Sequence, residues 1–383
     1  MKKIIILALG LISILGTKLH AQDKRAITTA VPFLLIAADA RAAGLADQGV
    51  ATTADAFSQQ WNPAKYAFIE KKQGVGVNYT PYLSQLVNDI GLGNLTYYNR
   101  INDRSAVAAS FKYFSLGEIE FRENPNDLGL IEKPNELTVD VSYALRLSDR
   151  FSMAVAGRYL RSDLRLSNGT EDISASGSFG VDIAGFYQSE EIAYNSFNGR
   201  WRAGVNISNI GPKIKYDDAG QENFIPTNFK LGAGFDFLLD ESNRITPSIE
   251  INKLLVPSPQ DFNGDGEING GDSEEYQDIS SFGAIFSSWG DAPDGFSEEL
   301  KELTWSLGAE YMYQDVFAFR AGYFNEAEEK GARKFVSLGA GFRYTIVNID
   351  ISYLFSTSPV KSPLEGTLRF GLSFNFGDEY VEN

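Results

Sequence analysis

From about residue 73 to the end of the chain, apolar and polar residues take turns. In Leu137–Leu145, Leu137, Val139, Val141, Tyr143 and Leu145 fall on one side of an extended chain and Thr138, Asp140, Ser142 and Ala144 on the other, because successive strand side chains point to opposite faces. The same split recurs at 201–209, 303–311, 335–344, 347–355 and 367–376, where the polar side carries Arg202, Glu310, Arg343, Asp350 and Arg369. Fourteen such segments can be read, near 73–83, 90–100, 104–115, 136–147, 150–162, 176–188, 200–210, 225–238, 244–255, 303–313, 316–325, 334–345, 346–356 and 366–377. Their even number and length of about ten residues predict an all-β fold: a 14-stranded antiparallel transmembrane β-barrel, apolar outside and polar inside. A soluble sandwich also alternates, but it seldom needs strands so long or so many.

The connections support this reading. Tight links at 101–104, 148–149, 239–243, 314–315 and 345–346 interleave with long ones at 116–135, 163–175, 211–224, 256–302, 326–333 and 357–365, as expected of short inner turns and long outer loops. The link at 189–199 is longer than this rhythm wants, so it is either a true inner loop or hides a miscounted strand. Both termini are expected on the periplasmic side and the long loops outside the cell.

Val31–Ile69 does not alternate. It opens on the apolar run Pro32, Phe33, Leu34, Leu35 and Ile36, continues through an Ala-rich piece that Gly44 can end in a left-handed C-cap, and turns again at Asn62 and Pro63. Asn62 can cap orphan N–H groups, and Pro63 at the first helical position lacks a donor that would go unpaired there. A barrel of about fourteen strands is wider than side chains alone can fill. The expected organisation is therefore a signal peptide over 1–21, an N-terminal plug of short helices over 22–71, the barrel over 72–378 with its longest outer loop at 256–302, and a C-terminal tail over 379–383.

Lys2 and Lys3, the apolar run Ile4–Leu15 and the small residue Ala21 before Gln22 have the form of a secretory signal, too short to span a bilayer. No later run of eighteen apolar residues predicts a membrane helix. The formal charge of −16 makes nucleic acid an unsuitable partner. There is no cysteine, and the single histidine, His20, leaves with the signal peptide, so neither a histidine-dependent triad nor a thiol nucleophile nor a zinc site of the usual ligands is available. Aromatic residues near strand ends, Tyr97, Tyr98, Tyr113, Phe114, Tyr323, Phe324, Tyr353 and Phe355, are placed for belts at the lipid headgroups. In the last strand, Arg369, Gly371, Phe374 and Phe376 resemble the C-terminal signal by which outer-membrane barrels are recognised for assembly.

Ala40-Arg41-Ala42-Ala43-Gly44, then Gly49-Val50-Ala51, Asp55-Ala56 and Trp61-Asn62-Pro63-Ala64, resemble the N-terminal plug of FadL-like outer-membrane barrels. Leu116–Phe121 leading to Pro134–Glu136, and Asp140–Ala144 leading through Leu147–Phe151 to Arg158–Asp163, are similar to the PorV branch of that superfamily, which belongs to the type IX secretion system. The resemblance implies a non-catalytic protein of the outer membrane. It also implies as partners the type IX translocon, the C-terminal signal domains of secreted cargo, and a surface attachment complex with a sortase-like protease. No cargo-binding residue can be assigned this way. Two other functions stay open: a FadL-like channel for hydrophobic small molecules, which needs an apolar pocket around Pro32–Ile36 and a lateral opening, and a barrel that only seals or scaffolds the translocon.

One stretch has the spacing of metal chemistry. Asp261, Asn263 and Asp265 stand at positions 1, 3 and 5 of a twelve-residue loop with Gly266 at 6, Glu267 offering its carbonyl at 7, Asn269 at 9 and Asp272 at 12. That is the pattern of EF-hand and dockerin loops, so Ca²⁺ is the expected cofactor. Asp272 in place of the usual bidentate glutamate is a departure that reduces ligand number. The acidic pairs Glu190-Glu191, Glu274-Glu275, Glu298-Glu299 and Glu328-Glu329 read as solvated loop charge, and Ser297–Glu302 as a short surface helix capped by Ser297.

Overall fold

The structure is a computed structural model that describes residues 26–122, 129–164, 175–216, 221–265, 268, 272–359 and 361–380. Fourteen long strands run in chain order: β1 (Lys71–Pro81), β2 (Ile90–Arg100), β3 (Ser105–Leu116), β4 (Asn135–Ser148), β5 (Phe151–Asp163), β6 (Ser176–Gln188), β7 (Asn198–Ile210), β8 (Asn228–Leu238), β9 (Asn243–Leu254), β10 (Thr304–Tyr313), β11 (Phe317–Asn325), β12 (Lys334–Tyr344), β13 (Val347–Ser356) and β14 (Leu368–Glu379). Each pairs antiparallel with its sequence neighbours, and β14 returns to β1, Val75 opposite Phe374, so the sheet closes on itself. Closure leaves no unpaired edge, which is what lets strands cross a lipid core where no water can satisfy the backbone. No helix among the described residues is long and apolar enough to cross a membrane.

The alternation sorts as the pattern requires. On β4, Val139, Val141 and Tyr143 are about half exposed on the outside, while Thr138, Asp140, Ser142 and Ala144 are buried toward the interior. Two details of the connections differ from expectation or settle it. The long link after β6 contains a two-residue strand, Ile192–Ala193, that pairs with the start of β7 and lengthens the short-turn side without adding a barrel strand. The loop between β3 and β4 carries a small hairpin, Ile119–Phe121 with Leu130–Glu132.

Three of the eight aromatic positions assigned to the lipid belts turn inward. Tyr97, Tyr113 and Phe355 are exposed on the wall and Tyr323 and Tyr353 share that outward side, but Tyr98, Phe114 and Phe324 are buried inside. Adjacent strand residues face opposite ways, so only one member of each neighbouring pair can reach lipid. The inward rings serve a different purpose: Tyr98 stacks on Tyr66 at 5.4 Å and Phe114 on Phe33 at 5.9 Å, both partners belonging to the segment that fills the barrel.

That filling segment is built from a 3₁₀ turn at Pro32–Leu35, a helical turn at Ala40–Ala43, another at Ser58–Trp61 and a 3₁₀ turn at Pro63–Phe68. Asn62 caps the last as expected, its side chain accepting from Ala64 N–H at 3.0 Å, with Pro63 at the first position. Gly44 does not adopt the left-handed conformation expected of it: its φ is −70°, and Ala46 and Asp47 take the positive φ instead. The segment runs the length of the interior. Ile27 packs with Phe224, Val256 and Ala284 at the long-loop mouth, whereas Tyr380 N–H donates to Glu70 at the short-turn mouth. The first described residues therefore lie at the long-loop mouth and the last at the short-turn mouth, and the two chain termini expected on one side lie outside the described residues. Residues 1–21, read as a signal peptide, lie outside the described residues.

Candidate functional site

The interior is a polar lock between the filling segment and the wall. Arg41 donates to Glu310 of β10 at 3.0 and 3.2 Å, to Asp55 at 2.6 Å and to the Thr53 hydroxyl at 2.6 Å. Glu310 in turn accepts from Arg320 of β11 at 2.6 Å, and Arg320 reaches Asp350 of β13 at 2.6 Å. Buried charges persist only when paired and hydrogen-bonded, and this chain of four satisfies both conditions. Glu250 of β9 accepts the N–H groups of Gly49 and Val50 at 2.8 and 2.9 Å, and Arg202 of β7 donates to Ala51 O while pairing with Asp236. On the wall, Arg158 bridges Asp140 and Asp182.

Close approach depends on missing side chains. A Cβ built on Gly204 of β7 would lie 2.0 Å from Val50 O, and one on Gly322 of β11 would lie 2.6 Å from the Leu45 carbonyl carbon. These positions let backbone meet backbone where any larger residue would displace the segment.

Of the residues assigned to the plug, Phe33 and Leu34 are buried against Leu92, Phe114, Leu160 and Ile225, while Pro32 is exposed and Leu35 and Ile36 are partly so. The cavity between this turn and the wall has a volume of about 10 Å³, room for one water, and its lining includes Lys112, Arg158 and Lys230. The only break in register on the β6–β7 seam, between Ile207 and Ile210, is filled by Asn209, which donates to Asp182 and to Pro226 O. Of the assembly-signal residues, Arg369 points inward onto Asp47 at 3.3 Å and Gly371 faces Asn78, while Phe376 is exposed outward beside Phe374.

In the long loop, the described part of the twelve-residue motif is already wound. Asp261 Oδ1 accepts from Gly264 and Asp265 N–H at 2.7 and 3.1 Å, Asn263 Oδ1 from Asp265 N–H at 2.8 Å, and Asp272 Oδ1 from Phe262 and Asn263 N–H at 2.8 and 3.1 Å. Asp272 is buried; Glu267 and Asn269 lie outside the described residues. This all-oxygen donor set suits a hard cation.

Two expectations for the same loop are corrected. Glu298 and Glu299 are not solvated: Glu299 and Glu302 hold Lys253 of β9 at 2.6 and 2.7 Å, and Glu298 and Glu302 hold Lys330 at 2.7 and 3.0 Å. The helix there begins at Phe296 behind Gly295, not at a Ser297 cap. Partners 28 to 49 residues away leave no trace in local spacing, so the pattern could not announce them.

Residues 19–261 match the family described as type IX secretion system protein PorV. No curated protein matches the chain. Among solved structures it is similar to a FadL homologue of Pseudomonas aeruginosa, with 14% identity over 92% of this chain and 99% of that one at a TM-score of 0.45. It is also similar to the toluene transporter TodX of Pseudomonas putida (10%, 89% and 98%, TM-score 0.49) and to the toluene transporter TbuX of Ralstonia pickettii (12%, 90% and 100%, TM-score 0.48). The family assignment rests on the sequence match, which spans more than half of the chain: this protein belongs to the PorV family of the type IX secretion system.

Proposed function

We propose that this barrel works in the outer membrane as a binding and transfer protein of type IX secretion. It engages the C-terminal signal domain of secreted cargo at the translocon and passes the cargo to a surface attachment complex containing a sortase-like protease. The observation that carries this reading is the family match combined with an interior locked by buried ion pairs, which leaves the loops as the surfaces available for work. Binding without chemistry also agrees with a chain that has no cysteine and a single histidine.

The alternative, a channel for hydrophobic small molecules, needs an apolar pocket beside Pro32–Ile36. The space there takes one water and is lined partly by cations, which suits a hydrocarbon poorly. The long loops are read as extracellular, with Ca²⁺ held by Asp261, Asn263, Asp265, the Glu267 carbonyl, Asn269 and Asp272. The decisive experiment is deletion of the gene followed by analysis of secreted proteins. Cargo that stalls inside or is released unanchored supports the reading; cargo still exported and anchored refutes it.

A further inference from the structure

The loop between β9 and β10 folds down over the outer wall of the barrel. Outward-facing Ile245, Ile249 and Ile251 on β9 are exposed, yet the next outward residue, Lys253, is 1% exposed because Glu299, Glu302 and Trp289 cover it. Trp289 also packs edge-on against Phe229 of β8 at 5.4 Å. Phe229 stands opposite Lys253 in the register and one outward step above Leu231, which is 47% exposed on the wall. Trp289 thus continues the apolar wall, just above the rim where Trp305 and Tyr323 meet at 5.6 Å.

Trp289 is the end of a stripe. The helix Ser281–Ser287, capped by Ser280, carries Phe282 and Phe286 one turn apart with rings 5.4 Å from each other, and they are 69% and 67% exposed. Phe282 and Phe286 share one face of this helix, and Trp289 follows in the turn just past its C-terminus, its N–H donating to Phe286 O at 3.5 Å. Ala284, on the opposite side, is buried with Phe224 and Val256 and holds the helix to the loop. From Ile279 to Gly290 there is no charged residue, although acidic residues flank the stretch on both sides at Asp278 and Asp291.

We propose that Ile279–Gly290 is an interfacial membrane anchor, with Phe282, Phe286 and Trp289 seated at the boundary between headgroups and acyl chains beside β8–β10. The continuity of the stripe with the lipid-facing wall selects lipid as its occupant. Aromatic rings at that depth bury apolar area while an amphipathic helix lies in the membrane plane. The Lys253–Glu299–Glu302 cluster sets the height at which the helix meets the bilayer. This inference needs the barrel to be embedded in lipid, and it is independent of what cargo the protein handles.

Because the chain has no cysteine, single labels are clean. Phe286→Cys, with Phe282→Cys as a second position, is coupled to an environment-sensitive fluorophore in the full-length barrel, folded into phosphatidylcholine vesicles containing spin-labelled lipid. Phe319→Cys on the exposed wall and Glu274→Cys in the loop serve as references. The expected result is a blue-shifted emission quenched by the lipid label at 286 and 319 and water-like emission at 274. Loss of quenching at 319 would remove the embedded barrel itself. Quenching at 319 but at neither 282 nor 286 would overturn the anchor, as would shielding at 286 that arises only when purified translocon is added.

Discussion

Arg41, inside the barrel, and Glu310, in its wall, share two hydrogen bonds of 3.2 and 3.0 Å although 269 residues separate them in the chain. The pair is unequal. Removing Arg41 leaves Glu310 still held by Arg320 at 2.6 Å, whereas removing Glu310 takes a carboxylate from two buried guanidinium groups at once, leaving Arg41 only Asp55 and Arg320 only Asp350 as acidic partners. Breaking a buried pair by deleting one partner costs about 3–5 kcal/mol. Glu310→Ala is therefore expected to lower the heat-unfolding midpoint of the barrel in detergent by more than Arg41→Ala does. Midpoints equal to that of the parent protein in both variants would show that the lock contributes nothing.

The wall glycines give a test with its own control. Gly204→Ala places a methyl 2.0 Å from Val50 O, so the filling segment must shift, at about 1–3 kcal/mol for overpacking. Gly157, on β5, has nothing within 4 Å of the corresponding position. Gly204→Ala is expected to raise the permeability of reconstituted vesicles to small solutes or to lower heat stability, and Gly157→Ala to do neither. Identical behaviour of the two variants would refute a seated plug.

How far the sequence carries can be seen in single residues. The period of two placed Thr138, Asp140 and Ser142 inside and Val139 and Val141 outside, because a lipid-facing wall imposes the alternation on every strand. It could not tell that Tyr98 and Phe114 sit on the inner side, since both sides of a strand end can hold a ring. Gly44 ends its helix as the sequence suggests, though with φ −70° instead of a left-handed turn, and it has a second use in closeness: a Cβ there would lie 3.0 Å from the Gly339 Cα, a contact visible only once β12 is in place. Lys253 looks like one more polar strand end, and its burial depends on a loop folding back some forty-six residues later. Local pattern reports the wall; what the wall touches is set by long-range packing.

The long loop is expected to respond to pH through Asp291. Burial, assisted by Glu302 and Glu299 and opposed by the Ser258 N–H and Lys253, pushes its carboxyl up from 3.8 to about 6. The folded loop then binds this proton more tightly than the unfolded chain, so stability falls as pH rises from about 4 through about 6. Glu302 works in the opposite sense: burial alone would raise it, but Lys253, Ser258 and Lys330 hold it below 4.5, and its contribution is lost only at lower pH. With chelator present, proteolysis within 258–302 is expected to be faster near pH 7 than near pH 5. Asp291→Asn should flatten that difference; an unchanged pH profile in the variant would contradict the assignment.

Calcium should order the same loop at its other end. Asp261 and Asp272 already turn an oxygen onto N–H groups of their own loop, which winds the backbone around the carboxylates but leaves several like charges gathered in a short span. A divalent cation removes that repulsion, so binding and loop order are coupled. Extracellular calcium modules bind with Kd of roughly 10⁻⁴–10⁻³ M, and the replacement of glutamate by Asp272 at the last position argues for the weak end of that range. Chelation, or Asp261→Ala combined with Asp265→Ala, is expected to increase proteolysis within 256–302 while the barrel stays folded by its heat-unfolding midpoint. The double variant should show no further change on chelation, which separates a lost metal from a merely disturbed turn. Equal protease sensitivity of the parent protein with and without calcium would eliminate the site.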